Sequence, residues 1–334
     1  MVSSNHGTDA DREFQMHLTS YFEALPKAPT ADRTKLIGAS EAAAILGLSP
    51  WATPFSVWAS KMDPQPSVDT AVMERGRYLE AGLLEWTSAK VGAVGYERGP
   101  KLSEPGIQGP ESWMAPRPDG ALHMADGSIE LAEIKTSRDA HEWGASGTDL
   151  LPQHYAVQVL FQMAACPGIQ RTRVGAYLPI ADELRVMVVE RDEALIRWLI
   201  DKIGEWFHQH IVLGKRPAVD DTEACRAYLR RQFPVQTEPM RQATADEAQL
   251  VSDLVQAKAA HKSAEAEVDR LGNLLRAQIN AAEGLFVPGG KVTYRWQAGP
   301  KRVDTGLLES VYPEVHAKVI RQGDDQRVLR LAVK

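Results

Sequence analysis

The stretch RPDGALHMADGSIELAEIKTS, residues 117–137, constrains the fold most, because two short apolar runs flank an Asp-Gly pair. Both residues of that pair tolerate positive φ, so they predict a hairpin turn between two strands. If the strands pair, Asp119 enters the first and Glu133 lies near the end of the second. Glu133 and Lys135 are two residues apart and share one strand face. Two acids and a lysine at one sheet edge require a cation or a protonated partner.

Composition excludes several classes of protein. The chain has 334 residues, 44% of them hydrophobic and 25% charged, which is typical of one large or two modest globular domains. Its two cysteines, Cys166 and Cys225, show no paired spacing, so we expect neither a disulfide framework nor a zinc site, and we expect a reducing, cytoplasmic location. We find no apolar run of about 20 residues and no signal-like start, and we expect no membrane contact.

The formal net charge of −6 argues against broad, non-specific binding of nucleic acids. It does not exclude a groove with a locally basic lining, because the total charge of a chain says little about one groove.

Three helices are predicted before the hairpin. Ser40 is interpreted as the N-cap of the first, which ends at Gly47. Pro54 occupies the first position of the second helix. The third covers the stretch TAVMERGRYLEAGLLEWTSAKVG, in which the three-to-four spacing places Glu80 beside apolar neighbours.

A further helix is predicted to start at Pro152, after the hairpin. Tyr155, Gln158 and Gln162 follow one another at three- and four-residue steps and form one polar stripe on it. Two strands and an amphipathic helix ending at Gly214 come next. This order predicts a mixed α/β core with a small central sheet flanked by helices.

Four regions are predicted along the chain. Residues 1–30 lack a clear pattern and are interpreted as a flexible N-terminal arm, and residues 31–215 form the α/β core. Residues 216–245 are rich in proline and charge and are interpreted as a linker. Residues 246–334 are predicted to form a helical stalk with a weak heptad pattern, followed by a small β element.

Asp119 and Glu133-Ile134-Lys135 fit the pattern D-x(n)-E-x-K, which suits phosphodiester hydrolysis. Hard oxygen ligands can hold Mg²⁺, which lowers the pKa of a bound water and neutralises developing charge. Asp119 and Glu133 are the candidate ligands, and the Ile134 carbonyl is a possible third. Lys135 would orient or deprotonate the water and favour a bound phosphate.

Two helical residues are candidates for the same site. Glu80 could complete it, and Gln158 could hold water, Lys135 or the scissile region through its amide. Each residue also has an ordinary structural explanation: a same-face ion pair for Glu133 and Lys135, a solvated helix face for Glu80, and a satisfied polar group for Gln158. Such short motifs recur by chance, and their combination alone is informative.

Four stretches, in order, resemble the YqaJ-like viral recombinase family, which includes phage lambda exonuclease and lies in the PD-(D/E)xK nuclease superfamily. They are IGASEAAAILGLSPWATPFSVW, MERGRYLEAGLLEW, RPDG…AEIKTS and HYAVQVLFQM, and together they span about residues 33–213. The resemblance implies a restriction-endonuclease-like (PD-(D/E)xK) core, to which the long C-terminal helix and small β element are added.

The resemblance implies an Mg²⁺-dependent exonuclease, with Mn²⁺ as a possible substitute and two ions bound with substrate. It would degrade the ends of linear double-stranded DNA from 5′ to 3′ and leave single-stranded 3′ overhangs for phage-type recombination. Asp119 and Glu133 would then be metal ligands and Lys135 the water-activating lysine. Glu80 would be the helix carboxylate near the water, and Gln158 the glutamine of the last motif.

Recognition of the DNA end is also implied by the resemblance. Ser40 would contact the terminal 5′-phosphate, and Arg33 and Arg138 would assist. Glu41 stands where the family often has Asp, which leaves the capping chemistry unchanged.

The resemblance further implies a homo-oligomer, a trimeric ring around DNA, in a phage or prophage setting within a bacterial cytoplasm. A single-strand annealing protein is the expected partner. Two alternatives stay open: a PD-(D/E)xK endonuclease, and a non-catalytic module that binds or assembles on DNA ends.

Overall fold

A computed structural model describes residues 20–30, 32–66, 69–101, 103–321 and 327–332 of the chain. The chain divides into two compact units, the first ending at Gln232 and the second beginning at Phe233. This boundary falls inside the segment 216–245 that the sequence identifies as a linker.

The first unit alternates helices and strands after a 3-10 turn at Arg33–Lys35. Its helices are α1 (Ala39–Ile45), α2 (Pro54–Met62), α3 (Ala71–Val91), α4 (Gln153–Ala165), α5 (Glu193–Phe207), which continues into a π-helical turn at His208–Val212, and α6 (Glu223–Gln232). Its strands are β1 (Gly95–Arg98), β2 (Gly120–His123), β3 (Ile129–Thr136), β4 (Arg171–Leu178) and β5 (Glu183–Glu190).

The five strands form one mixed sheet in the order β1-β2-β3-β4-β5. β3 and β4 are parallel, and the other neighbouring pairs are antiparallel. The parallel pair needs a crossover connection, which α4 supplies. The predicted hairpin is confirmed: β2 and β3 pair, and Gly127 at their turn has φ +83°. The expected mixed α/β core, with its central sheet flanked by helices, is confirmed.

Helices cover both faces of the sheet because successive strand residues point to opposite sides. On one face Ala121 and Leu131 pack with α1, α4 and α5. On the other face Leu122 and Ala132 pack with Leu84 of α3. Fully burying one such leucine contributes roughly 1.5–3 kcal/mol.

Gly120 allows α3 to approach the start of β2. A Cβ at this position would lie 2.8 Å from Leu84 Cδ2 and 2.7 Å from the Glu97 carbonyl oxygen. A side chain here would therefore push α3, and with it Glu80, away from the sheet edge where β2 begins.

The predicted N-cap of α1 is wrong by two residues. Gly38 is the N-cap, and its N–H donates to Glu41 Oε2 at 2.8 Å. Ser40 lies inside the first turn, where its side chain is exposed. The capping function belongs to the Glu41 carboxylate, which reaches back over the turn, as in a capping box.

Most of the predicted N-terminal arm, residues 1–19, lies outside the described residues. Residues 20–30 pack against the rest of the first unit: Phe22 is buried, and the Tyr21 N–H donates to Glu97 Oε1 at 2.7 Å. The Ala28 N–H donates to the Gly106 carbonyl at 2.8 Å.

The end of the first unit also packs tightly. Cys225 and Tyr228 of α6 lie against Phe55 and Trp58 of α2. The helical part of the expected linker therefore belongs to the packed unit.

The second unit contains the predicted long helix and small β element. They are α7 (Ala245–Ile279) and the hairpin of β6 (Gly284–Val287) with β7 (Gly290–Thr293), followed by α8 (Thr305–Val311) and α9 (Pro313–Val319). α7 is 35 residues long and leaves apolar side chains such as Val268 and Leu271 exposed. Across the described ranges, no helix is both long enough and apolar enough to cross a bilayer.

Candidate active site

The pairing register of the hairpin brings Asp119 and Glu133 together. Gly120 pairs with Ala132 at the end of the β2–β3 ladder, so Asp119 is opposite Glu133 at the next position. Residues at opposed positions have Cβ atoms about 4.5–5.5 Å apart. By alternation both side chains belong to the sheet face that packs on α4.

A backbone contact fixes the Asp119 carboxylate. Its Oδ2 accepts a hydrogen bond from the Ile134 N–H at 2.7 Å. The N–H and carbonyl of one strand residue point to the same neighbouring strand. The Ile134 carbonyl therefore points toward the Asp119 side of β3, beyond the last β2–β3 pair.

Glu133 is held from three directions although its residue is only 1% exposed. Its Oε1 accepts hydrogen bonds from Lys135 Nζ and Gln158 Nε2. Its Oε2 accepts one from Gln162 Nε2 at 2.8 Å. Both glutamines lie on α4, so the helix that connects β3 to β4 also positions the carboxylate at the end of β3.

Gln162 was not among the predicted site residues. It is fully buried, and its Nε2 also lies 3.4 Å from the Arg117 carbonyl. The polar stripe of α4 could have indicated this role, because Gln162 lies one turn beyond Gln158 on the same side of the helix.

Lys135 contacts Glu133 and the ring of Tyr155, whose centroid is 5.2 Å from Nζ. Burial alone would lower the pKa of this ammonium, but the carboxylates of Glu133 and Asp119 outweigh burial and raise it. In this arrangement Lys135 is a charged hydrogen-bond donor.

The Asp119 carboxyl has its pKa raised well above the usual range. Burial is the main cause and the neighbouring Glu133 carboxylate is the second, while Lys135 and the Ile134 N–H act in the opposite direction. The charge of Glu80 on α3 makes a smaller contribution in the same direction as Glu133. The anionic form of Asp119 is therefore costly until a cation offsets it.

The donor set fits a hard divalent cation. It consists of two neighbouring carboxylates and one backbone carbonyl, the oxygen ligands that Mg²⁺ prefers, and Mg²⁺ commonly uses only one or two protein carboxylates. In the described part of the chain, no three His, Cys, Asp or Glu side chains gather as a metal cluster. Glu80 is instead half-exposed and 3.7 Å from Arg98.

The predicted end-binding residues lie on the surface. Ser40 and Arg138 are exposed, and Arg33 is exposed in the 3-10 turn. Burial and, to a smaller extent, the charge of Arg33 lower the pKa of Arg117.

A buried lysine anchors the segment before Ser40. Lys61 Nζ donates to the carbonyls of Arg33 at 3.0 Å and Leu36 at 2.6 Å, and pairs with Glu41 at 3.0 Å. Burial lowers the pKa of Lys61, and Glu41 opposes that shift. Lys61 was not predicted, since lysine in an amphipathic helix gives no sequence sign of burial.

Comparison with known proteins confirms the resemblance. Residues 30–168 match the model of the YqaJ-like viral recombinase domain. The "Uncharacterized protein YqaJ" of Bacillus subtilis (strain 168) is 25% identical over 297 residues, which cover 87% of this chain and 89% of that protein.

Two solved structures are also similar. The crystal structure of LHK-Exo in complex with dAMP has 21% sequence identity and a TM-score of 0.40, and the match covers 61% of this chain and 96% of that chain. The crystal structure of this alkaline exonuclease from Laribacter hongkongensis has 19% identity and a TM-score of 0.41, with 64% and 97% covered.

Proposed function

We propose, from the match of residues 30–168 to the model of the YqaJ-like viral recombinase domain, that the chain is a metal-dependent exonuclease. It degrades the ends of linear double-stranded DNA, from 5′ to 3′, and leaves 3′ single-stranded overhangs for recombination. One observation carries the proposal: Asp119 and Glu133 are opposed on neighbouring strands, with Lys135 bound to Glu133.

Asp119, Glu133 and the Ile134 carbonyl would hold Mg²⁺ or Mn²⁺, with a second ion bound together with substrate. When bound, the metal supplies positive charge that lowers the pKa of water and offsets charge on the phosphate. The side chains of the protein position the water, the phosphate and the metal ligands.

The Lys135 ammonium donates a hydrogen bond to the attacking water or to a phosphate oxygen, where its charge favours the transition state. Gln158 and Gln162 keep Glu133 in a fixed orientation, so that its carboxylate faces Asp119 across the strands. Glu80, on α3, accepts a hydrogen bond from the water and orients it. Positioning of this kind lowers the activation free energy, because the water loses translational and rotational freedom before the reaction.

The test of the proposal compares closed circular and linear duplex DNA in parallel with Mg²⁺. We expect loss of the linear duplex from its ends, an intact closed circle, and no digestion by Asp119→Ala, Glu133→Ala or Lys135→Ala. Cutting of the closed circle would select the endonuclease alternative. Retained binding without nucleotide release under any divalent metal would select the end-binding module.

We propose that Ser40 recognises the 5′-phosphate and that Arg33 and Arg138 assist it. The exposed Ser40 hydroxyl and the anchored backbone of the Arg33–Leu36 segment support this assignment. Duplexes with a 5′-phosphate should be digested faster than those with a 5′-hydroxyl, and Ser40→Ala should reduce that preference. An unchanged preference in Ser40→Ala would remove Ser40 from this role.

Assembly and partners complete the proposal. The chain acts as a homo-oligomer, a trimer by resemblance, together with a single-strand annealing protein in the bacterial cytoplasm. Sedimentation velocity at working concentration tests the first part, and a monomer that digests DNA processively would contradict it.

A further inference from the structure

A cavity of about 340 Å³ adjoins the candidate active site. It lies where the loop after α1, the end of β3 and the start of α4 meet. Its walls combine aromatic and apolar side chains with polar groups in about equal measure. They include Pro50, Trp51, Ser137, Glu142, His154 and Tyr155.

Two observations place this cavity beside Lys135. The Tyr155 ring that forms one wall also lies 5.2 Å from Lys135 Nζ. Ser137 of the lining is two residues beyond Lys135. A nucleotide whose phosphate reaches Lys135 could therefore place another of its groups in the cavity.

Two aromatic side chains, Tyr155 and Trp51, form walls of the cavity. Tyr155 is supported from behind by the buried Trp143, with centroids 5.5 Å apart and planes at 29°. Trp51 forms the outer wall, 4.8 Å edge-on to His154 and 5.9 Å from Tyr155. Trp51 is nevertheless 72% exposed, so most of its ring surface is free to stack on a ligand.

The polar groups favour a base over a phosphate. The cavity lining carries a carboxylate, Glu142, and neither Lys nor Arg is among its described residues. His154 Nε2 is buried and makes no hydrogen bond within the described structure. A phosphate would be repelled by Glu142, whereas the N–H and ring-nitrogen edge of a nucleobase can pair with a carboxylate and an imidazole.

We propose that this cavity binds a nucleobase of the DNA strand whose phosphate is held at Asp119, Glu133 and Lys135, with Trp51 as its stacking surface and Tyr155 as a supporting wall. The inference rests on the proposed function and adds a base-binding subsite to it. Stacking on aromatic side chains tolerates every base, which suits an enzyme that must digest any sequence.

The experiment uses the full chain and linear duplexes that carry 2-aminopurine at one of the first three positions of either strand. Ca²⁺ replaces Mg²⁺ for binding, and Mg²⁺ is used for kinetics. Stacking is worth about 1–3 kcal/mol per base, so Trp51→Ala should weaken binding roughly 5- to 100-fold. KM should rise by more than kcat falls, and Trp51→Phe should restore most of the affinity.

The fluorescence readout separates stacking from a structural effect. In the wild type, 2-aminopurine at one position should be quenched on binding, and Trp51→Ala should lose part of that quenching. Trp198→Ala is the matched control, since Trp198 is a half-exposed tryptophan of α5 outside the cavity lining. His154→Phe should keep the quenching and change the relative affinity for the four bases.

Wild-type KM and wild-type quenching in Trp51→Ala would overturn the subsite. Failure of the wild type to digest linear duplex with any divalent metal is a different result, and it would overturn the proposed function itself.

Discussion

At the residue scale, the site depends on how one buried carboxylate is held. The almost fully buried Glu133 carboxylate accepts hydrogen bonds from Lys135, Gln158 and Gln162, and each of its two oxygens has at least one donor. An unpaired carboxylate oxygen in such a place costs about 1–3 kcal/mol or more. The amides of α4 therefore serve folding and also orient the carboxylate that we propose as a metal ligand.

Gln162→Leu should lower the free energy of unfolding by about 1–3 kcal/mol, because Glu133 Oε2 loses its donor. It should also lower kcat/KM roughly 10- to 100-fold, the usual effect of losing a residue that orients a metal ligand. Urea denaturation and a nuclease time course measure the two effects. Gln232→Leu, at an exposed position of α6, is the control and should change neither. Equal behaviour of the two variants would contradict the assigned role.

Asp119→Asn should separate stability from activity. The amide oxygen can still accept from the Ile134 N–H, while the repulsion by Glu133 and the cost of a buried charge disappear. Without metal, at a pH high enough for the wild-type carboxyl to be charged, the variant should be more stable than the wild type. Its nuclease activity should be lost. Thermal unfolding in EDTA measures the stability, and a destabilised variant would refute the repulsion argument.

Sequence alone predicts the acidic pair because the Asp-Gly turn fixes the hairpin register, and the register fixes which residues are opposed. It identifies the polar stripe of α4 but not which amide reaches Glu133, since that depends on how the helix packs. The sequence predicts the N-cap at Ser40, whereas the N-cap is Gly38. The difference arises because the Glu41 carboxylate, three residues after Gly38, accepts the Gly38 N–H.

At the element scale, the short α1 is fixed in place by its neighbour α2. Lys61 of α2 joins two backbone carbonyls and the Glu41 carboxylate in a buried cluster. The helices and the hairpin follow from the sequence pattern. The burial of Lys61 does not, because its partners are backbone groups more than twenty residues away.

Lys61→Met should lower the free energy of unfolding by about 3 kcal/mol, because two backbone carbonyls lose their donor and the partly buried Glu41 carboxylate loses its cation. Urea denaturation measures the change. Lys35→Met is the matched control: the exposed Lys35 lies 4.0 Å from Asp32, and its loss should cost less than about 0.5 kcal/mol. If both variants lose the same small amount, the buried cluster is not a stabilising anchor.

At the scale of the whole molecule, the first unit contains the candidate active site and the second remains without an assigned reaction. The match to the Bacillus subtilis protein covers 87% of this chain and therefore extends beyond Gln232. The composition allows one large domain or two modest ones, and the segment rich in proline and charge predicts where two units separate. The sequence cannot supply the function of the second unit, because its long helix carries only a weak heptad.

Divalent metal should stabilise the folded wild type. A cation that binds only the native state at 100 times its Kd adds about 2.7 kcal/mol to the free energy of unfolding. We therefore expect Mg²⁺ to raise the Tm of the wild type and to leave that of Asp119→Asn nearly unchanged. An equal rise in both proteins would indicate binding elsewhere.

The most direct test of the central claim is an anomalous-scattering measurement on crystals soaked in Mn²⁺. The account predicts a peak within ligand distance of the carboxylates of Asp119 and Glu133 and of the Ile134 carbonyl. A well-ordered crystal with no peak between these groups, from protein that digests linear duplex in Mn²⁺, would contradict it.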